Sequence, residues 1–207
     1  MKYLVLDLET VPINIEHEEV KDYLMDKKIS KEMRSLDPNY SKIVVVVVKE
    51  LNGSASVFSG EEKQILIDLW KFLENKNDFI LVTHNGYQFD IPFLIIRSIT
   101  NNVSIPIDIN TNKWRMENSN HFDTMQFFSH YGTFINPNLN ILARIQGVNV
   151  PKRGVKGSDI ENLYKEGKLE DIKKHCIEDV EILENLFKKS CISYVEGLKG
   201  NLKKFRI

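Results

Sequence analysis

The chain has 207 residues, enough for one domain with a buried core, and its 42% hydrophobic and 28% charged content is ordinary for a soluble globular protein. A formal net charge of −1 excludes a global field that draws it to nucleic acid or membrane, so a polyanion must be held by a local patch or by metal ions. The longest apolar run, Ile43 to Val48, is far short of a bilayer span, and Asp7 interrupts the N-terminal apolar run too early for a signal peptide.

Lys2 to Leu8 is rich in strand formers and predicts a first strand ending in acids. Residues 11–42 are charged, with a partly helical stretch over Glu18 to Met33, and are expected to form a surface insertion in a single domain spanning 1–207. Ile43 to Glu50 is almost wholly β-branched and predicts a strand buried on both faces. Asn52-Gly53 signals a two-residue hairpin, with Ser54 to Phe58 returning antiparallel. Ser59 with Glu62 reads as a capping box, opening a helix whose Ile65, Leu66, Leu69, Trp70 and Leu73 form one apolar stripe.

Phe79 to Thr83 is a further strand, and Pro92 suits the first turn of a helix running to about Arg97. Phe122 ends a short strand, Asp123 to Tyr131 is a helix stopped by Gly132, and Leu139 to Ile145 is a helix closed by Gly147. Pro151 to Gly157 is a basic loop. Ser158 with Glu161 reads as a second capping box, and Gly167 ends that helix. From Leu169 a long helix turns Ile172, Cys176, Val180, Leu183 and Phe187 inward. Cys176 and Cys191 share that helix too far apart to bridge, which suggests a reducing compartment, and the cytoplasm is expected. This order implies an α/β fold, a mixed sheet of five to six strands with helices on both faces.

Four acids stand out. Asp7 and Glu9 are two apart at the end of a central strand, so they share a face and repel each other. A lone acid there is most simply a strand reaching solvent. A same-face pair at the carboxyl end of a buried strand points to a ligand site. Asp90 follows a second strand and, alone, reads as a helix cap. Asp179 lies at the edge of the inward stripe, one turn after His175, where a buried ion pair is an equal alternative. Carboxylates from separate elements suit magnesium or manganese, and two such ions ~3.5–4 Å apart can hydrolyse a phosphodiester.

Asp7-Leu8-Glu9-Thr10 resembles the Asp-x-Glu motif of DEDD-class 3′–5′ exonucleases of the ribonuclease-H-like superfamily. His84 to Leu94 (H-N-G-Y-Q-F-D-I-P-F-L) resembles their second motif as found in the proofreading domain of family B DNA polymerases. His175 to Val180 (H-C-I-E-D-V) resembles the third, and Asp37-Pro38 and His121 to Met125 (H-F-D-T-M) also fit. The chain as a whole resembles the family of stand-alone predicted 3′–5′ exonucleases related to the polymerase domain. The resemblance implies two magnesium or manganese ions, with Asp7 between both, Glu9 and Asp179 on the ion that activates water, and Asp90 serving the other. It implies release of nucleoside 5′-monophosphates from single-stranded 3′ ends, with DNA favoured over RNA. Any proofreading or repair role would be in trans, with no membrane partner and a polymerase association left open.

The family's usual tyrosine is His175 here, and the register used by its histidine subclass holds Lys174. A neutral imidazole near pH 7 is a plausible base. Thr10, Asn85, Tyr87 and Phe89 are candidates to hold the strand, although core packing suits Phe89 equally. Lys152, Arg153 and Lys156 are candidates for phosphate contacts, and the basic stretch from Lys199 is a second candidate or a solvated tail. Two other readings share the acids: a ribonuclease-H-like endonuclease or resolvase, which the Asn-x-x-x-Phe-Asp spacing disfavours, and a binding module that has lost catalysis, which the full set of four acids disfavours.

Overall fold

The computed structural model describes residues 2–110, 119–152 and 154–197. Its sheet has five strands: β1 (Lys2–Pro12), β2 (Ser41–Glu50), β3 (Ala55–Ser59), β4 (Phe79–Thr83) and β5 (His121–Asp123), in the order β3-β2-β1-β4-β5. β1 pairs antiparallel with β2, and β2 with β3, while β1–β4 and β4–β5 are parallel. The sheet is therefore mixed, with helices on both faces.

Alternation along β1 divides the core. Tyr3 and Val5 meet Ile172, Cys176, Val180, Leu183 and Phe187 of α8 (Leu169–Ser190) on one face. Leu4, Leu6 and Leu8 meet α3 (Glu62–Glu74) and α4 (Asp90–Thr100) on the other. The expected α3 stripe of Ile65, Leu66, Leu69, Trp70 and Leu73 is buried throughout. Among the described residues no helix is long and apolar enough to cross a membrane.

β1 runs past the expected end at Leu8 to Pro12, but its parallel partner keeps pace only to Val5↔Val82. From Leu6 onward β2 alone supports it, with an irregularity between Glu9 and Thr10. Asp7 and Glu9 thus project where the sheet parts between β1 and β4. Because β1 and β2 absorb residues 11–12 and 41–42, the segment outside the sheet is 13–40, carrying α1 (Glu18–Asp26) and α2 (Lys31–Ser35).

Several local expectations are corrected. Glu61, not Ser59, caps α3 by accepting from the backbone of Lys63 and Gln64, because the Glu62 carboxylate is buried among other partners. The β2–β3 turn exceeds two residues, with Lys49 opposite Ala55 and Asn52 left-handed at φ 63°. Ser158 does not cap with Glu161. The Asp159 carboxylate instead accepts from the Lys156 N–H, closing a 3-10 turn over Gly157–Asp159 ahead of α7 (Ile160–Lys165). Helix α5 spans only Thr124–Phe128, since His130 and Tyr131 turn left-handed before Gly132 is reached. Gly147 and Gly167 do close α6 (Leu139–Ile145) and α7 with positive φ. Cys191 lies just past the end of α8, and both cysteines are free and buried.

Candidate active site

Strand alternation places Asp7 and Glu9 on the α8 face of β1, directly beyond Val5. The α8 stripe that packs on this face places His175, Cys176 and Asp179 beneath them. The Cys176 thiol donates to Asp7 Oδ2 at 3.3 Å. His175 Nε2 lies 3.4 Å from Asp179 Oδ2 and 3.7 Å from Glu9 Oε1, with its side chain only 6% exposed.

Asp90 arrives by a built scaffold. β4 ends at Thr83, and the chain turns through Asn85 at φ 73° and then Gly86, where a Cβ would stand 2.1 Å from Thr83 Oγ1. Only glycine fits there. The Asp123 carboxylate gathers this turn, accepting from Asn85 N–H at 2.9 Å, Tyr87 N–H at 3.0 Å and Gln126 N–H at 3.1 Å. His84 is pinned between Thr124 Oγ1 and the Pro137 carbonyl, both at 2.9 Å, and the Thr83 hydroxyl meets His121 Nε2 at 2.8 Å.

This scaffold delivers Asp90 as the first residue of α4. Phe89, not Asp90, is the N-cap, and it makes no side-chain cap bond. Asp90 is 2% exposed, and its Oδ1 has no hydrogen-bond partner among the described residues. Burial pushes its carboxyl up to about 8, backed by the charge of Asp123 and opposed by backbone donors including Leu8. Asp7 is pushed well above the carboxylate range by burial, then by Asp179, Glu9 and Asp90, against the lowering Cys176 hydrogen bond. Acids crowded so that they resist ionisation, with a buried carboxylate oxygen left over, form a set that suits a divalent cation. Among the described residues, two groups have donor atoms within 4.8 Å of one another: Asp7, Glu9 and Cys176, and Glu9, His175 and Asp179.

A cavity of about 620 Å³ opens over these groups, walled by Thr10, Phe89, His84 and Lys156 as well as Asp7, Glu9 and Asp179, while Asp90 stays outside its lining. Phe89 serves both expectations, lining the cavity while stacking on Phe93 at 4.8 Å. The Thr10 hydroxyl donates to the Ser35 carbonyl at 2.6 Å and so ties α2 to the rim. Tyr87 does not reach the cavity. Its ring lies 4.4 Å from that of His121. Asn85 is likewise engaged in the turn, with its N–H on Asp123. Lys156 lines the cavity, Lys152 is exposed outside its described lining, and Arg153 and the C-terminal basic stretch lie outside the described residues. The residue that sequence reasoning left without a role is Asp123. Its signal was an acid ending a strand within the His121–Met125 motif, opposite an Asn-Gly turn.

Residues 21–185 match a family described as predicted 3′–5′ exonucleases related to the exonuclease domain of PolB. The chain is 26% identical, over 107 residues, to a DNA polymerase of Archaeoglobus fulgidus. That match covers 52% of this chain and 13% of the polymerase. In fold it is similar to a family B DNA polymerase from Pyrobaculum calidifontis, with a TM-score of 0.66 and 17% identity over 91% of this chain and 24% of that one. The chain therefore spans well under a third of either relative. The mixed α/β sheet with helices on both faces, as expected, is shared with the Pyrobaculum calidifontis polymerase.

Proposed function

The chain belongs to the family of predicted 3′–5′ exonucleases related to the exonuclease domain of PolB, and from that premise we propose that it removes nucleoside 5′-monophosphates from single-stranded 3′ ends, with Asp7, Glu9, Asp90 and Asp179 holding two magnesium or manganese ions. The observation that carries this reading is the convergence of Asp7, Glu9 and Asp179, from β1 and α8, on one cavity, with Asp90 of α4 buried near enough to act on the Asp7 charge and keeping an oxygen able to accept a ligand. The ions would supply an activated water and charge stabilisation of the leaving oxygen.

The protein's own contribution is placement and proton handling. His175, on α8 between Glu9 and Asp179, takes the proton of the attacking water through Nε2. As water oxygen bonds to phosphorus, the bond to the 3′ oxygen of the preceding nucleotide breaks, and that oxygen collects a proton from solvent. Phe89 offers a face on which the terminal base stacks, and Lys156 a cation at the rim. The fold acts as one domain, with residues 13–40 as an appendage at the mouth of the cavity.

The test is a gel of 5′-labelled single-stranded DNA and RNA with manganese. Stepwise shortening from the 3′ end, abolished by chelator and faster on DNA, is expected. Cleavage of a closed circle would move the assignment to an endonuclease. Full activity in chelator would remove the ions from the mechanism.

A further inference from the structure

A second cavity, of about 570 Å³, lies between α1, α2 and α7. It adjoins the catalytic cavity: Glu161 lines both, and the neighbouring residues Arg34 and Ser35 line one each. Among the described residues its charged lining is Lys21, Lys28, Arg34 and Lys165 against Glu161. The whole chain carries a net charge of −1, so this is a local reversal of sign. On α1, Lys21 is the charged residue that lines the groove, while Glu18, Glu19, Asp22 and Asp26 are absent from its lining, although Glu18 reaches the Lys21 ammonium from outside it. Arg34 also keeps a buried Nε with no hydrogen-bond partner among the described residues. Leu24, Met25 and Ile29 complete the wall with apolar surface.

Resting on the exonuclease reading, we infer that this groove holds the phosphates of the strand upstream of the 3′ end seated in the catalytic cavity. The acids of the active site repel a polyanion unless cations are present, so affinity for the strand must come from elsewhere on the path. A row of cations beside that site supplies it, without specificity for sequence. The ion pairs of Lys21 with Glu18 and of Lys165 with Glu161 do not compete strongly, because solvent reaches both lysines, Lys21 half-exposed and Lys165 exposed, and screens the pairs. This gives residues 13–40, which lie outside the sheet, a role in binding, since α1 and α2 build the far wall of the track.

The test compares wild type with Lys21→Gln/Lys28→Gln/Arg34→Gln, and with the milder Lys21→Gln/Lys28→Gln, which leaves the half-buried Arg34 in place. Three readouts are taken: hydrolysis of the p-nitrophenyl ester of thymidine 5′-monophosphate, cleavage of a deoxythymidine dodecamer, and binding of a fluorescent dodecamer in chelator by anisotropy. The ester occupies the catalytic cavity alone, and its hydrolysis should be unchanged in both variants. Dodecamer kcat/KM should fall about ten-fold or more in the triple variant, and the log–log salt slope of binding should shrink by about 0.7 for each phosphate no longer neutralised. Equal dodecamer affinity and salt slope in wild type and both variants overturns the groove as a strand track. So does a parallel loss on ester and dodecamer, which would make these residues structural. A wild type that binds the dodecamer through the groove but cleaves neither substrate would overturn the exonuclease reading and leave the binding site standing.

Discussion

At the scale of single residues, the acids that serve the proposed chemistry burden the metal-free fold. Asp90 is buried and Asp7 half-buried, they repel each other, and both are pushed above the range in which carboxyls ionise. Asp90→Asn keeps the shape and removes the charge. It should abolish cleavage while leaving the metal-free melting temperature unchanged or higher. A badly destabilised Asp90→Asn would instead make the carboxylate a structural acceptor. His175 carries a second prediction. Its Nε2 stands within 4 Å of both Glu9 and Asp179, one helical turn before the latter. Tyrosine, with a reference pKa of about 10, could only orient the water, whereas histidine at about 6.5 can also accept its proton. His175→Ala should therefore slow single-turnover cleavage by about 10²–10⁴-fold with little change in affinity. His175→Tyr should recover part of the loss, and a histidine moved to Lys174 should not. A rate within a few-fold of wild type for His175→Ala at saturating manganese removes it from the mechanism.

At the scale of elements, what the sequence showed and what it hid follow from the range of the interactions. Periodicity reports burial, and it placed β2, β4, the α3 stripe and the inward face of α8 because each buries its apolar residues as a continuous unit. Resemblance to the family's three motifs is what drew Asp7, Glu9, Asp90, His175 and Asp179 into one expected site, on strands and helices whose apolar patterns are themselves legible. Side chains with two possible partners were not. Glu62 matches a capping box by spacing, yet it is spent on a tertiary network. Its Oε1 accepts from the Ile43 N–H and from Arg97 Nε, and its Oε2 from Arg97 Nη2 and Asn101 Nδ2. Arg97 continues to the Pro38 carbonyl, so α3, α4, β2 and the segment before β2 are joined at one point. No local pattern signals a contact of that separation. Asp123 escaped similarly, because its backbone donors Asn85, Tyr87 and Gln126 come from the turn after β4 and the start of α5 after β5. Removing one member of the buried Glu62–Arg97 pair strands the other charge. Glu62→Ala should thus cost about 3–5 kcal/mol in urea unfolding. The surviving folded protein should cleave normally, since neither residue lines the cavity. A loss below about 1 kcal/mol would show a pair no stronger than an exposed one.

At the scale of the molecule, buried titratable groups of opposite type make stability depend on pH in two different directions. His84 and His121 are each lowered to about 4, mainly by burial, against the raising hydrogen bonds of Pro137 and Asn110. The unfolded chain, with imidazoles near 6.5, binds more protons between these values, so their contribution is whole above about pH 6.5 and is lost as pH falls toward 4. Asp90 works the other way. Its folded pKa of about 8 exceeds an unfolded value near 3.9, so its contribution is present below about pH 4 and is lost as pH rises through 8. Asp7 is raised as well and acts in the same sense. The two effects oppose each other on the acid side, and above about pH 6.5 the acids act without the histidines. In chelator, stability should therefore fall between about pH 6.5 and pH 8, by up to about 1.4 kcal/mol per pH unit for each carboxyl that loses its proton. Manganese prefers the ionised acids, so saturating metal should raise the melting temperature most at the alkaline end. Urea unfolding of wild type and Asp90→Asn across this window, with and without manganese, checks both parts. The variant's metal-free slope should be shallower. A metal-free wild type that grows more stable from pH 6.5 to 8 would mean that Asp7 and Asp90 are already ionised at neutrality, and that the repulsion a cation is expected to relieve is balanced within the protein itself.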